Sequence, residues 1–241
     1  MKKRVTKRGR RTPNKKWWGI GIITFFALLA VLGSTITLNA DKIIDHNIRK
    51  GNQQVTLNQI KKDNNQPKHV TATYDFKAIK PINLVDSMRA NQVRNRFYHT
   101  GMIAIPHAKV KAVINKGMNP LGLYTAVGEA KPGQIMGEEN FAIGGHNNYG
   151  YARNNYLFSN LNSVVKGDKI YLTNGSKTYQ YVTTEIKIIK YTESNIILNS
   201  EAREKPIVTL FTCWSPNHEN NPKHRLMVRG ELQKITNQSA N

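Results

Sequence analysis

The sequence predicts a mainly β domain, an antiparallel barrel or sandwich, preceded by one N-terminal transmembrane helix. Three observations carry this reading. Residues 17–39 (WWGIGIITFFALLAVLGSTITLN) hold no charge and are mostly apolar. From about Thr71 onward, short β-branched runs alternate with turn signals, the pattern of closed or stacked antiparallel sheets. Asn174-Gly175 stands between the runs KIYLT and TYQYV, a strong hairpin signal.

The apolar run is about as long as the twenty residues a helix needs to cross a bilayer. Trp17 and Trp18 open it, where interfacial aromatics belong, and residues 1–16 carry nine of the 36 Lys and Arg residues. No acidic residue precedes Asp41. The positive-inside rule therefore puts residues 1–16 in the cytoplasm as a basic tail and the remainder outside. The competing reading is a cleaved signal peptide, but the run is long and Leu38-Asn39-Ala40 is a poor cleavage site. A single-pass anchor at the cell membrane is expected.

Residues 40–72 are polar, rich in Asn, Gln and Lys, and read as an extracellular spacer with a frayed helix near residues 43–48. The domain proper is expected over residues 73–236. Within it, Asp86-to-Arg96 (DSMRANQVRNR) is the best helix candidate. The run GMIAIP ending at Pro106, the hairpin about Asn174-Gly175, and residues 185–191, 207–212 and 226–232 read as strands. The hairpin turn is expected to be type I′, with positive φ at both central residues.

Beyond the tail the chain keeps 27 basic against 15 acidic residues, spread rather than massed. Such a surface favours polyanions, including wall polymers and lipid headgroups. No basic run with interleaved aromatics follows the tail, so nucleic acid is not an expected partner. A single cysteine excludes an internal disulfide, and a lone thiol outside the cell marks a candidate reactive group.

That cysteine, Cys213, ends the β-branched run IVTLFTC and faces a polar loop with two prolines. A strand end holds a nucleophile rigidly yet accessibly, although most free cysteines are small buried hydrophobes. A useful thiol needs a base or cation beside it. Of seven histidines, His46 and His69 lie in the expected spacer and His107 follows a proline. His146 follows Gly144 and Gly145, whose missing side chains would let a substrate backbone approach. Arg225 opens the run after Cys213, eleven loop residues later. If the two runs pair as a hairpin, guanidinium and thiol are neighbours, and the arginine could stabilise an oxyanion. Arg229 could compete for that role.

These residues fall in strings that resemble one family. TLFTC (209–213) resembles the TLxTC signature of sortases. MGEENFAIGGH (136–146) resembles the segment leading to their catalytic histidine, LFS (157–159) and GDKIYLT (167–173) also fit, and HRLMVRGEL (224–232) is similar to their arginine strand. The resemblance spans roughly Tyr74 to Leu232. It implies an eight-stranded β-barrel with short helices, and a cysteine transpeptidase acting on secreted proteins with LPxTG-type sorting signals. Cys213 would attack the Thr–Gly carbonyl to give a thioacyl intermediate. His146 would protonate the leaving amine and deprotonate the incoming one. Arg225 would stabilise the oxyanion, and Thr212 would assist through its hydroxyl. The acceptor would be an amine of a lipid-linked peptidoglycan precursor, with no organic cofactor. The Tyr74-Asp-Phe76 segment resembles housekeeping class A, and HRLMVRG resembles pilin-polymerising class C. The second anchor and aromatic lid usual in class C are not found. Acidic residues are too scattered to imply a calcium site. Two other readings use the same residues differently: an anchored cysteine protease that releases free acid, and a non-enzymatic module that holds polyanions on its basic surface.

Overall fold

The structure, a computed structural model, describes residues 15–65, 72–148, 157–216 and 222–238. Most of the basic tail, His69, His218 and the middle of the loop after Cys213 lie outside the described residues. Two compact units divide between Ala40 and Asp41.

The first unit holds helix α1 (Lys15–Leu38). Its Ile20–Leu38 portion is long and apolar enough to cross a membrane, with mean hydropathy 2.2 and none of it buried against protein. The hydroxyls of Thr24, Ser34, Thr35 and Thr37 donate to carbonyls one turn back. That satisfies them inside the helix, as a lipid surround requires.

The second unit is an eight-stranded closed barrel dressed with helices. Its strands are β1 (His99–Ile105), β2 (Val110–Asn115), β3 (Val127–Glu129), β4 (Asn140–Gly145), β5 (Lys169–Thr173), β6 (Lys177–Lys190), β7 (Ile207–Trp214) and β8 (His224–Asn237). They close in the order β1-β2-β3-β4-β7-β8-β6-β5. Alternate residues fill the inside, among them Ile103, Ile114, Phe141, Ile143, Leu172, Tyr181, Leu210 and Val228. The barrel is not wholly antiparallel as expected. β2 pairs with β3, and β4 with β7, in parallel. β4 is buried along nearly its whole length, and β7 until its last two residues, so neither shows the polar–apolar alternation of a half-solvated antiparallel strand.

The hairpin forms at the expected place, with Thr173 opposite Thr178. Its turn is not type I′. Gly175 has φ +86° while Asn174 and Ser176 stay negative. Asn174 instead uses its side-chain oxygen to accept from the amides of Ser176 and Lys177. The helix expected from Asp86 is α4 (Leu84–Val93), capped by Asn83, whose Oδ1 accepts from Asp86 N at 2.9 Å and so satisfies an orphan amide of the first turn.

The segment read as a spacer is folded onto the barrel. It forms α2 (Ala40–Gln53) and α3 (Leu57–Asn65). From α2, Ile44 and Ile48 pack with Leu157, and from α3, Ile60 packs with Val113 and Ala126. Asn52 closes a seam. β2 and β3 pair only at Ile114–Val127 and Asn115–Gly128, and the buried Asn52 side chain accepts from Val113 N at 2.9 Å and donates to Thr125 O. Gly51 lets α2 come this close, since a Cβ there would stand 2.6 Å from Thr125 Cβ.

A carboxyl on the barrel itself is buried. Glu129 lies on β3 two residues after Val127, which faces the interior, and is 4% exposed. Burial pushes its pKa up to about 7, opposed in part by a hydrogen bond from Thr100 and by the Lys116 ammonium.

Two outcomes follow for stability. Ile48→Ala should lower the unfolding free energy by about 2–5 kcal/mol in urea titrations of the detergent-solubilised chain; an unstructured spacer would give no change. The folded state holds a proton on Glu129 that the unfolded chain releases between pH 4.5 and about 7. This group's contribution to stability is therefore intact below pH 4.5 and lost as pH rises through 7, by on the order of 3 kcal/mol. Glu129→Gln should remove that dependence in the same titrations.

Candidate active site

Three strands bring the sequence-predicted residues together. β7 and β8 form the anticipated antiparallel pair, and their register sets Cys213 opposite Arg225. On the other side of β7, the parallel partner β4 sets Gly145 beside Thr212. His146, the next residue, is therefore level with Cys213. Alternation decides which face each side chain takes. Phe211 lies on the outer face with Met227 and Ile189, so Cys213, two residues on, lies there too. Gly144 shares that face, since a Cβ on it would stand 2.7 Å from the Phe211 ring. His146 has the same parity. Register and alternation thus place Cys213, His146 and Arg225 at one end of three adjacent strands, on the outer face of the barrel.

The expected substrate contacts are engaged otherwise. Thr212 is buried on the inner side, and its hydroxyl donates to Gly145 O at 2.8 Å. It fixes the carbonyl just before His146. Gly145 also faces inward, where a Cβ would stand 2.7 Å from Val127 Cγ1 and 3.0 Å from Phe158. Both glycines make room for the protein's own side chains.

Arg229 is four residues from Arg225 on the same strand face and does not compete. It lies opposite Thr209 and forms ion pairs with Glu185 at 3.0 Å and Glu201 at 2.8 Å. Arg225 donates through Nη1 to the carbonyls of Pro222 at 2.8 Å and His224 at 2.9 Å. These two carbonyls pin the guanidinium while its other donors point elsewhere. His107 pairs with Asp168 and His99 with Asn115, both on other parts of the barrel.

Electrostatics at the site oppose charge. Burial lifts the Cys213 thiol above the ordinary thiol range, and the Arg225 guanidinium pulls it back down in part. Burial lowers the His146 pKa to about 4. At neutral pH the resting pair is thiol and neutral imidazole. Asn147, which sequence reasoning passed over, donates its Nδ2 to Cys213 O at 3.1 Å and ties the chain after β4 to the end of β7. Its position directly after a glycine-glycine-histidine run was the available signal. Tyr124 was also missed: its ring lies 5.7 Å from the His146 ring, centroid to centroid, at an interplanar angle of 41°. Among the described residues no group of three or more His, Cys, Asp or Glu could hold a metal ion.

A family model described as Sortase domain matches residues 103–233. The chain is 30% identical over 182 residues to Sortase A of Listeria monocytogenes, covering 76% of each. It is 33% identical over 176 residues to Sortase A of Streptococcus agalactiae, covering 72% of this chain and 69% of that one. The solved structure of the Listeria monocytogenes sortase A superposes with a TM-score of 0.53 at 32% identity, over 58% of this chain and 91% of that one.

Alkylation by iodoacetamide should report the state of the thiol. The rate at Cys213 should rise with pH through a midpoint above that of an ordinary thiol, and Arg225→Ala should push the midpoint higher still, because it removes a cation that favours thiolate. An unchanged midpoint in Arg225→Ala would show that the guanidinium does not act on the sulfur.

Proposed function

Because the chain belongs to the sortase family of cysteine transpeptidases, we propose that it cleaves an LPxTG-type sorting signal between Thr and Gly and transfers the protein to an amine of a lipid-linked peptidoglycan precursor. The observation that carries the residue roles is the cross-strand register, Cys213 opposite Arg225 with His146 one step past the Gly145–Thr212 pair.

In this reading the Cys213 thiol passes its proton to His146 as the sulfur forms a bond to the threonine carbonyl carbon. The oxygen takes the negative charge and meets guanidinium donors of Arg225, a fixed electrostatic complement to charge that develops only in the transition state. As the C–N bond breaks, His146 gives its proton to the departing glycine amine and a thioester remains on Cys213. The acceptor amine then loses a proton to His146 and attacks the thioester, and the sulfur leaves and recovers that proton, restoring the resting thiol and neutral imidazole. Splitting one acyl transfer into two in this way is the purpose of a covalent nucleophile. Thr212 and Asn147 serve as positioning groups that hold the strand ends on either side of the thiol.

The family reading accounts for α1 as well. With the nine basic residues of the tail in the cytoplasm, α1 is a single-pass anchor and the barrel stands outside the cell, where secreted substrates emerge and lipid-linked precursor is delivered. The similarity to proteins named Sortase A favours the housekeeping role over pilin polymerisation. A protease that releases free acid would use the same three residues, so product identity separates the two.

Mass spectrometry of the enzyme mixed with an LPxTG peptide should show an acyl adduct on Cys213 that ends at the threonine. Added primary amine should convert the product from free acid to amide. Cys213→Ala should form no adduct while still folding, and His146→Ala and Arg225→Ala should each slow turnover by about 10²-fold or more. Near-normal turnover in either variant would remove the role assigned to that residue.

A further inference from the structure

A proton shuttle at position 146 has a difficulty that the three-residue scheme leaves open. The imidazole is buried, its Nε2 has no hydrogen-bond partner among the described residues, and burial alone pulls its pKa down to about 4. By strand register the titratable and charged groups nearest in line with it among the described residues are Cys213 on β7 and, opposite Cys213, Arg225 on β8. The Arg225 charge is of the same sign as an imidazolium. Behind the Tyr124 ring stands Asp86 of α4. No carboxylate forms an ion pair with His146 among the described residues, so something else must favour its charged form.

Among the described residues, Tyr124 is the one aromatic ring in contact with it. The centroid separation of 5.7 Å lies within the roughly 6 Å over which a cation is drawn to an aromatic face, and the attraction grows when both partners are out of water. Tyr124 is 2% exposed. Its hydroxyl is held from the far side, donating to Pro81 O at 3.1 Å and accepting from Asn83 Nδ2 at 3.2 Å. Asn83 is itself the cap of α4. The ring is thus clamped between the helix N-terminus and the imidazole. Burial, with help from Asp86, pushes the phenol up to about 12, so it stays neutral across the working range.

We propose that Tyr124 is a positioning residue that orients His146 and stabilises its imidazolium form through the face of the ring, with the hydroxyl serving only to tether that ring to the start of α4. The proposal rests on the reading that His146 cycles a proton, and its test separates the two.

The measurement is the His146 pKa, read by NMR of the full chain in nanodiscs with ¹³Cε1-labelled histidine and assigned with His146→Gln. Tyr124→Leu should lower that pKa by about one unit, the shift expected from losing a desolvated cation–aromatic contact. Tyr124→Phe should move it by less than half as much. Should Tyr124→Leu fail to fold, Tyr124→Phe carrying successively more ring fluorines keeps the shape while draining the ring's negative face, and the His146 pKa should fall stepwise. In turnover assays Tyr124→Leu should lower kcat about tenfold with little change in KM. An unchanged His146 pKa in Tyr124→Leu, or no trend across the fluorinated series, overturns the proposal. Full turnover in His146→Gln would instead overturn the proton-cycling role and leave the pKa result standing.

Discussion

The structure depends on the pairing of three strands in one register. β7 is held in parallel by β4 on one side and antiparallel by β8 on the other, and only this arrangement sets Cys213 beside both His146 and Arg225. The inner faces of the same strands carry Phe141, Ile143, Val208, Leu210, Leu226 and Val228, all part of the barrel core. Because side chains alternate, a slip of one residue in β7 would drive Cys213 inward and turn Val208 and Leu210 out to the other face. Core burial therefore enforces site geometry, and the free energy that keeps the apolar residues inside also keeps the thiol outside.

The same packing explains why the site is quiet at rest. A partly buried thiol and a buried imidazole both lose hydration when they charge, so each shifts toward its neutral form. The two arginines of β8 show how differently one residue type is used four positions apart. Arg229 is neutralised between Glu185 and Glu201 and joins β6, β8 and the β6–β7 connection. Arg225 meets only backbone carbonyls among the described residues, and its charge acts on the sulfur. A guanidinium pinned by carbonyls keeps its position without surrendering its charge.

Much of this was legible in the sequence, and the failures have physical causes. The end of β7, the hairpin with β8 and the apolar helix were all readable from strong local patterns. The helices within residues 40–65 were missed because Asn, Gln and Lys dominate their composition. The informative feature was the spacing of Ile44 and Ile48 on one helical face, followed by Gly51-Asn52, a pair that makes sense only against a neighbouring strand. Parallel pairing was hidden because β4 is apolar on both faces and carries no alternation to read. Gly144 and Gly145 were read as openings for substrate, since sequence shows a missing side chain but not what fills the space. Tyr124 gave no signal at all, because its importance comes from a contact between residues 22 positions apart.

The joint between the two units has a mechanical meaning. α1 ends at Leu38 and α2 begins at Ala40, and α2 is already part of the folded domain through Ile44 and Ile48. One residue of slack spans only about 3.5 Å. With α1 in a bilayer, as proposed, the barrel would work on a short leash, unable to search the volume above the lipid. A membrane-borne substrate and a membrane-borne acceptor would then meet it by lateral diffusion in two dimensions.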